Sequence, residues 1–369
     1  MCLGRGALDK AVLFCLDFME RLIKEKISPK AKILLVKLRS IGDVVYNTAV
    51  YAPLKKHFPD AHLTVLVERP SCDLVCDHPD VDEVLCFDKG SIWNQLRFYW
   101  RLMRRGYDVA IDMHEGTRGA VMCFLTRAPL RIGHKFAKRS FLYNIGLEFS
   151  DLNPKFPLDY QMALIRKMGV TFDDVKPTIH ISDAARSRAK NILLGHGIDS
   201  GDEFCVIHPG TRRIYDQWQY NKFARLAKVF HAQYGLKILL TCGPGEEPQA
   251  QAVLKLVCDT PVAFVQTGLQ ELGAITEKAR FVLCHNGGYM HIASVLGTPV
   301  VALFGVVNPR VWKPLGPRDV IVYKNLDCSP CSHNNRKKEC YEGDAECKRL
   351  IEVEDVLMGV EQILRPRQS

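Results

Sequence analysis

The sequence predicts an α/β protein made of two doubly wound, Rossmann-like domains that face each other across a cleft. Three observations lead to this prediction. The chain has 369 residues, more than a single domain usually needs. Short apolar runs alternate with helix-length segments, a pattern typical of parallel βαβ units. This alternation begins near residue 31 and begins again near residue 203.

The first alternating region starts with the strand KILLVKL at 32–38 and a predicted helix over 43–58. Three further apolar runs are predicted strands, and the segment 91–106 is a predicted helix between two of them. The strands are HLTVLV at 62–67, EVLCF at 83–87 and VAIDM at 109–113.

The second region repeats the pattern with predicted strand segments at 204–210, 237–245, 262–266, 281–284 and 299–305. We therefore predict an acceptor-binding domain over 31–180 and a donor-binding domain over 181–369, which carries a Cys-rich segment and a C-terminal helix. Residues 1–30 are predicted to form an N-terminal amphipathic helix, since Leu8, Val12, Leu16, Met19 and Ile23 recur at helical spacing. Packing on the protein's own surface is the expected role of this helix, and contact with a membrane surface is the alternative.

Composition is ordinary for a globular protein, with 47% hydrophobic and 25% charged residues, which argues against disorder. The net charge of +9 favours an anionic partner. The 14 cysteines are scattered, and the N-terminal segment has no continuous apolar stretch of the kind that signal peptides contain. We therefore expect a cytoplasmic protein whose thiols are mostly free and buried.

Three loops that follow predicted strands of the second domain carry groups suited to an anionic ligand. Gly287 and Gly288 precede a helix start, whose free N–H groups attract anions, and His291 lies in its first turn. Thr211, Arg212 and Arg213 follow another strand, and arginine binds phosphate oxygens in a bidentate manner. Glu246, in a third loop, is suited to ribose hydroxyls. Plain surface loops with solvated side chains are the alternative for each.

The first domain differs at the corresponding place. Its first strand is followed by RSIGD, which lacks the G-x-G-x-x-G pattern of a dinucleotide-binding loop and carries the acid Asp43. An NAD-dependent dehydrogenase is therefore disfavoured. Asp43 is suited to cap the following helix or to act as a general base, and the two roles are compatible.

Three blocks of the sequence, taken together, resemble the ADP-heptose:lipopolysaccharide heptosyltransferases of glycosyltransferase family 9. They are LLVKLRSIGDVVYNTAVYAPLKKHFPDA, VIHPGTRRIYDQW and NGGYMHIASVLGTPVVALFG, in the family's order. The resemblance spans about residues 31 to 365, and the stretch RGYDVAIDMHEGTRGAVMCFLTRAPLRIGH is most similar to the heptosyltransferase III-like branch.

The resemblance implies a GT-B fold and metal-independent transfer with inversion from ADP-heptose to the inner core of lipopolysaccharide. It assigns the general base to Asp43. It places Thr211, Arg212, Asn286, Gly287, Gly288 and His291 at the donor site, to which the residue chemistry adds Arg213 and Glu246. It implies no cofactor and no nucleic-acid partner, and it places the protein in the cytoplasm or at the inner membrane.

Two positions depart from the family pattern. Asn286 stands where the family usually has Asp, and Asp216 stands where it often has Lys. Losing a cation beside the leaving diphosphate would cost transition-state stabilisation. A different nucleotide-sugar donor, or a nucleotide-sugar-binding protein without activity, is therefore the alternative function.

The acceptor is expected to bind residues of the first domain. The stretch from Gly116 to Leu147 contains basic residues and no acid, which suits a phosphorylated oligosaccharide. The predicted acceptor-binding residues are His114, Glu115, Arg118 and Lys135. In the second domain, Cys328, Cys331, Cys340 and Cys347 have a spacing that suits structural zinc, with free thiols or a disulfide as the alternative.

Overall fold

The computed structural model describes residues 27–148, 157–171, 175–331, 340 and 345–364. The chain divides into two units, the first ending at Thr178 and the second beginning at Ile179. The helix predicted from Leu8 to Ile23 lies outside the described residues.

The first unit contains a parallel sheet of six strands in the order β3-β2-β1-β4-β5-β6. This is the order of a Rossmann fold. Strands β1 and β4 lie at its centre, and their apolar residues are buried, as expected for a sheet covered on both faces. The strands are β1 (Lys32–Val36), β2 (His62–Glu68), β3 (Glu83–Phe87), β4 (Val109–Asp112), β5 (Leu130–His134) and β6 (Ile145–Leu147).

Five α-helices are described in this unit. The helix predicted over 43–58 is interrupted by a 3-10 turn at Thr48–Val50. Pro53 explains the interruption, because proline has no N–H to donate and its ring crowds the preceding turn. The helices are α1 (Ile41–Asn47), α2 (Tyr51–His57), α3 (Ile92–Met103), α4 (Thr117–Leu125) and α5 (Pro157–Arg166).

The second unit repeats the topology with a parallel sheet in the order β12-β11-β10-β7-β8-β9. Read from the other edge, this is again the Rossmann order, with β7 and β10 as the central pair. The prediction of two Rossmann-like units is therefore confirmed. The strands are β7 (Phe204–His208), β8 (Lys237–Thr241), β9 (Val262–Val265), β10 (Val282–His285), β11 (Val300–Leu303) and β12 (Val320–Val322).

Helices cover this second sheet, and an extended apolar cluster lies beneath α7 and α12. Among the described residues, no helix is both long enough and apolar enough to cross a membrane. The helices are α6 (Asp183–Gly195), α7 (Tyr220–Tyr234), α8 (Glu247–Leu254), α9 (Leu269–Thr276), α10 (Gly288–Val295), α11 (Glu346–Arg349) and α12 (Val353–Leu364).

Aromatic side chains fill the core of the second unit. Phe230 on α7 packs edge-on against Phe281, with ring centroids 5.2 Å apart. Trp218 packs edge-on against Phe223 at 4.8 Å, and its indole N–H donates to the carbonyl of Ile351 at 2.9 Å. The indole bond joins the segment before α7 to the segment before α12, so residues distant in sequence share one core.

Cysteine usage differs in part from the expectation of free thiols. Cys72 and Cys86 in the first unit form a disulfide that the sequence did not predict. It joins the turn after β2 to the neighbouring strand β3. The other described cysteines are free, and half of these are buried.

Replacing Phe230 by Ala is expected to destabilise the second unit by about 3–5 kcal/mol, because a fully buried ring is lost and a cavity remains. Denaturant unfolding followed by the fluorescence of Trp218 would measure the loss. The exposed Met358 on α12 offers a matched control, since Met358→Ala should leave the unfolding midpoint nearly unchanged. Equal midpoints for both variants would contradict the assigned core.

Candidate functional site

The central strand pairs of the two sheets place the predicted site residues. In each unit the chain leaves the central strands to build helices on opposite faces, which opens a crevice at their carboxyl ends. In the first unit this edge carries Asp43 after β1 and Glu115 after β4. In the second it carries Thr211 after β7 and Asn286 after β10. Each unit thus has its own candidate site at a topological switch point.

Asp43 lies in the first turn of α1 and forms part of its cap. Its Oδ2 atom accepts hydrogen bonds from the Ser40 backbone N–H at 3.0 Å and from the Ser40 hydroxyl at 2.9 Å. Its Oδ1 atom lies 3.8 Å from the ammonium of Lys37, which also donates to the carbonyl of Met113 at 2.8 Å. The carboxylate is therefore fixed in orientation by the helix start and by β1, while a quarter of the side chain stays exposed.

Asp112, the last residue of β4, was not among the predicted site residues. It is fully buried and accepts hydrogen bonds from the Tyr143 hydroxyl at 2.5 Å and from the His114 N–H at 2.8 Å. Burial raises its pKa to about 6, although these hydrogen bonds oppose the change. A Cβ on Gly119 would lie 2.3 Å from its Oδ1 atom, so the start of α4 can approach only as glycine. Asp112 thus holds the loop that carries His114 and Glu115.

Glu115 is the third carboxyl at this edge, after Asp43 and Asp112. Its backbone has a positive φ of 60°, a conformation that is uncommon outside glycine. An oxygen of Glu115 lies 3.6 Å from Nε2 of the buried His134. Burial raises the pKa of Glu115 to about 7; Lys37 opposes this, and the charges of Asp112 and Asp43 add to it.

His114 and His134 flank these carboxyls as neutral rings. Burial, together with the charge of Lys37, lowers the pKa of each to about 4. The Nε2 atom of His134 lies 3.0 Å from the carbonyl of Tyr160, a partner that requires the proton on this nitrogen. The edge therefore combines three carboxyls, one buried ammonium and two neutral imidazoles.

The predicted basic acceptor residues lie around this group with carboxylate partners of their own. Arg118, on α4, is 3.6 Å from the nearly buried Glu68 and lies over the ring of Phe87. Lys135, just after β5, pairs with Glu148. Each keeps an exposed fraction of at least a third, so both remain open to an anionic ligand.

In the second unit, Glu246 is fixed beside the end of β7. One carboxylate oxygen lies 3.2 Å from Nε2 of His208 and accepts the Gly243 N–H at 2.9 Å. Burial alone would raise the pKa of Glu246, but hydrogen bonds and charges from His208, Gly243 and Arg212 lower it overall. Gly210 allows this arrangement, since a Cβ there would lie 2.2 Å from the same oxygen.

The loop after β7 presents the predicted cations. Thr211 is held by Gln249, whose side-chain amide donates to the Thr211 carbonyl at 3.0 Å, and its hydroxyl accepts the Arg213 N–H at 3.2 Å. Arg212 and Arg213 are exposed. The backbone of this loop is thus anchored while both guanidinium groups face solvent.

The loop after β10 lies at the adjacent strand end. The Asn286 N–H donates to the carbonyl of Leu303 at 3.2 Å, which continues the strand pairing for one residue. Gly287 is exposed, and a Cβ there would meet nothing closer than 4.0 Å, so this position is open rather than crowded. Gly288 begins α10, and His291 in its first turn is buried.

Asp216, a departure from the family pattern, lies inside the protein. Its carboxylate is fully buried, with the Arg213 guanidinium 3.8 Å away. Burial raises its pKa, and the charge of Lys348 is the main influence that lowers it. Lys348, which sequence reasoning missed, is buried on α11 and donates to the Leu303 carbonyl at 2.6 Å. The negative charge at position 216 is therefore turned inward, towards a lysine supplied by the C-terminal segment.

The cysteine segment lies near this buried pair. Cys347 is buried, Cys331 and Cys340 are half-buried, and Cys328 is exposed. Within the described ranges, no three His, Cys, Asp or Glu side chains are grouped in a way that could hold a metal ion. Structural zinc at these four thiols stays a prediction.

The chain resembles known proteins in both sequence and fold. The sequence model of glycosyltransferase family 9 (heptosyltransferase) matches residues 95–342. Lipopolysaccharide heptosyltransferase 3 of Escherichia coli K12 is 23% identical over 89% of this chain and 96% of its own length. A family 9 glycosyl transferase from Veillonella parvula has a similar structure, with a TM-score of 0.76 at 20% identity over 90% of this chain and 97% of its own. The structure of E. coli ADP-heptose lps heptosyltransferase II is also similar. Its TM-score is 0.74 at 19% identity over 90% of this chain and 98% of its own.

Replacing Glu115 by Gln tests the raised pKa of this carboxyl. The ordinary pKa of this carboxyl is 4.5, and its pKa in the folded protein is about 7. At pH values between the two, Glu115 keeps its proton in the folded protein and releases it in the unfolded chain. The parent should therefore lose stability relative to Glu115→Gln as the pH rises through this window. Denaturant unfolding of both proteins at a series of pH values would measure the difference. A difference that is flat, or that grows in favour of the parent, would contradict the assignment.

Proposed function

Because the chain belongs to glycosyltransferase family 9, the heptosyltransferases, and is therefore a glycosyltransferase, we propose that it transfers heptose from ADP-heptose to the inner core of lipopolysaccharide. Within the family we assign it to the heptosyltransferase III-like branch. The observation that carries the proposal is the position of the family-like loops, which occupy the switch points of the two sheets. Ligands of open α/β sheets bind at these points.

The proposed acceptor site is in the first unit. The acceptor hydroxyl attacks the anomeric carbon of the donor, and Asp43 takes the hydroxyl proton as general base. Its fixed orientation between Ser40 and Lys37 supports this role. Glu115 and His114 bind hydroxyl groups of the acceptor sugar, and Arg118 and Lys135 bind its phosphate groups.

The proposed donor site is in the second unit. The bond between the anomeric carbon and the diphosphate breaks as the new bond forms, and ADP leaves with the electron pair. Arg212, Arg213 and the Thr211 hydroxyl stabilise the charge on the diphosphate together with the helix start at Gly288. Attack opposite to the departing diphosphate inverts the anomeric configuration. Glu246 accepts hydrogen bonds from the ribose hydroxyls of the donor.

A nucleotide-sugar-binding protein without transferase activity is the competing hypothesis, motivated by Asn286 and Asp216. The burial of Asp216 weakens this motive, because its charge is directed away from the exposed face of the loop. Arg212 and Arg213, both exposed there, provide the positive charge that the family lysine would supply.

Replacing Asp43 by Asn is expected to lower kcat about 10²–10⁴-fold, the usual effect of removing a general base, and to leave ADP affinity unchanged. Turnover with ADP-heptose and a lipid-linked core acceptor, and calorimetric titration with ADP, would measure the two quantities. Asp60→Asn, at an exposed acid of the same unit, is the matched control. Equal turnover by Asp43→Asn and its parent would remove Asp43 as the base. ADP binding by a parent that transfers no sugar would favour the binding-protein hypothesis.

Replacing Arg212 by Ala is expected to raise the Kd for ADP about 10–100-fold, because a charge-assisted bond to phosphate contributes about 1.5–3 kcal/mol. Titration with ADP, GDP and UDP would measure the loss and identify the preferred base. Arg225→Ala, at an exposed arginine on α7 of the same unit, should bind ADP as the parent does. The same Kd for Arg212→Ala and Arg225→Ala would contradict the proposed donor loop.

A further inference from the structure

Helix α3 in the first unit presents four large apolar side chains to solvent. Ile92, Trp93, Leu96 and Trp100 are each between 50% and 75% exposed. We call these four side chains the α3 strip. Single exposed apolar residues are ordinary on protein surfaces, but a contiguous group that includes two tryptophans is not.

The four side chains are contiguous because of helix geometry. Ile92, Leu96 and Trp100 follow one another at intervals of four residues and therefore lie along one edge of the helix. Trp93 lies beside them, seven residues before Trp100 and two turns away on the same side. The strip extends about 12 Å along the helix axis, at 1.5 Å per residue.

The opposite face of α3 attaches the helix to the first unit. Leu102 is buried there, and Phe98 and Tyr99 pack against Phe87 of β3, with ring centroids 5.2 Å and 6.1 Å apart. The helix therefore has a complete core-facing side without the strip. The fold does not account for the apolar character of the exposed side.

Arginines border the strip along one side. Arg97, Arg101 and Arg104 are exposed, and the guanidinium of Arg104 lies 4.5 Å from the ring centre of Trp100. No acidic residue occurs between Ser91 and Gly106. Within the described part of the chain, no carboxylate lies within ion-pair distance of these three arginines. Their charges are thus available to an outside anion.

The combination of side chains identifies the partner. Tryptophan is enriched where hydrocarbon meets lipid headgroups, and arginine beside an apolar helix face binds anionic headgroups. A second copy of this chain would bring the same arginine border to a symmetric contact, where like charges repel. The net charge of +9 acts in the same direction, against self-association and towards an anionic surface.

We propose that the α3 strip binds the surface of an anionic lipid bilayer, with its tryptophans at the level of the headgroups and its arginines paired with lipid phosphates. The strip shares no residue with the proposed transfer site. The inference therefore stands whether or not heptose is the transferred sugar.

Vesicle binding by the full-length chain tests the proposal. The parent should co-sediment with vesicles of phosphatidylcholine and phosphatidylglycerol, and its tryptophan emission should shift to the blue as Trp93 and Trp100 leave water. The triple variant Trp93→Gln, Leu96→Gln, Trp100→Gln should bind the vesicles at least about tenfold more weakly than the parent. Leu256→Gln with Met358→Gln, which removes exposed apolar residues of the second unit, should bind as the parent does. Circular dichroism of every variant verifies folding.

A second variant tests the charge. Arg97→Gln, Arg101→Gln, Arg104→Gln should weaken binding to the anionic vesicles and reduce its dependence on salt. Equal binding by the α3 triple glutamine variant and the parent would overturn the proposal, as would a parent that binds no vesicles. If the parent and the α3 triple glutamine variant differ in oligomeric state without lipid but bind vesicles equally, the proposal is wrong. The strip would then be assigned to a contact with a second copy of the chain. ADP titration of each variant separates this result from any failure of the proposed transfer function.

Discussion

Both candidate sites depend on a constraint that parallel sheets impose at the centre of the strand order. Consecutive strands connected by right-handed crossovers place their helices on one face until the order reverses, and then on the other. The reversal lies between β1 and β4 in the first unit and between β7 and β10 in the second. Only there do two neighbouring loops diverge and leave their strand ends uncovered. The same constraint thus selects which few residues of each unit can meet a ligand.

The two strand-end edges carry different ionisable groups. The first concentrates carboxyls around a buried ammonium, so that Asp43, Asp112 and Glu115 share the field of Lys37. Burial raises the pKa of Asp112 and of Glu115, and the charge of Lys37 opposes this change at both. The second edge instead exposes Arg212 and Arg213 and pairs its acid, Glu246, with His208. This difference underlies the acid–base function proposed for the first edge and the anion-binding function proposed for the second.

The sequence was sufficient to predict the repeated α/β pattern, because buried parallel strands are continuous apolar runs that periodicity detects. It also located the loops after the central strands, since these follow directly from strand order. It could not predict that Asp216 is buried beside Lys348, because the two are far apart in the chain and only tertiary packing joins them. The Cys72–Cys86 bond escaped prediction because only folding brings the turn after β2 to β3. The positive φ of Glu115 escaped prediction because it occurs at a residue other than glycine, where the sequence gives no sign of it. Helix α3 was predicted from its pattern, but which side faces solvent depends on where Phe87 lies.

The burial of Lys348 has a consequence for the end of the chain. Its ammonium lies 2.6 Å from the Leu303 carbonyl and 3.3 Å from Nδ1 of His285, so α11 closes the carboxyl ends of β10 and β11 from behind. Gly305 leaves room for it, since a Cβ there would lie 3.0 Å from the lysine side chain. A chain cut before α11 would therefore keep every loop of the proposed donor site and still leave the buried Asp216 without the charge of Lys348. The last helices are thus part of the core of the second unit, and a truncation there is expected to destabilise this core.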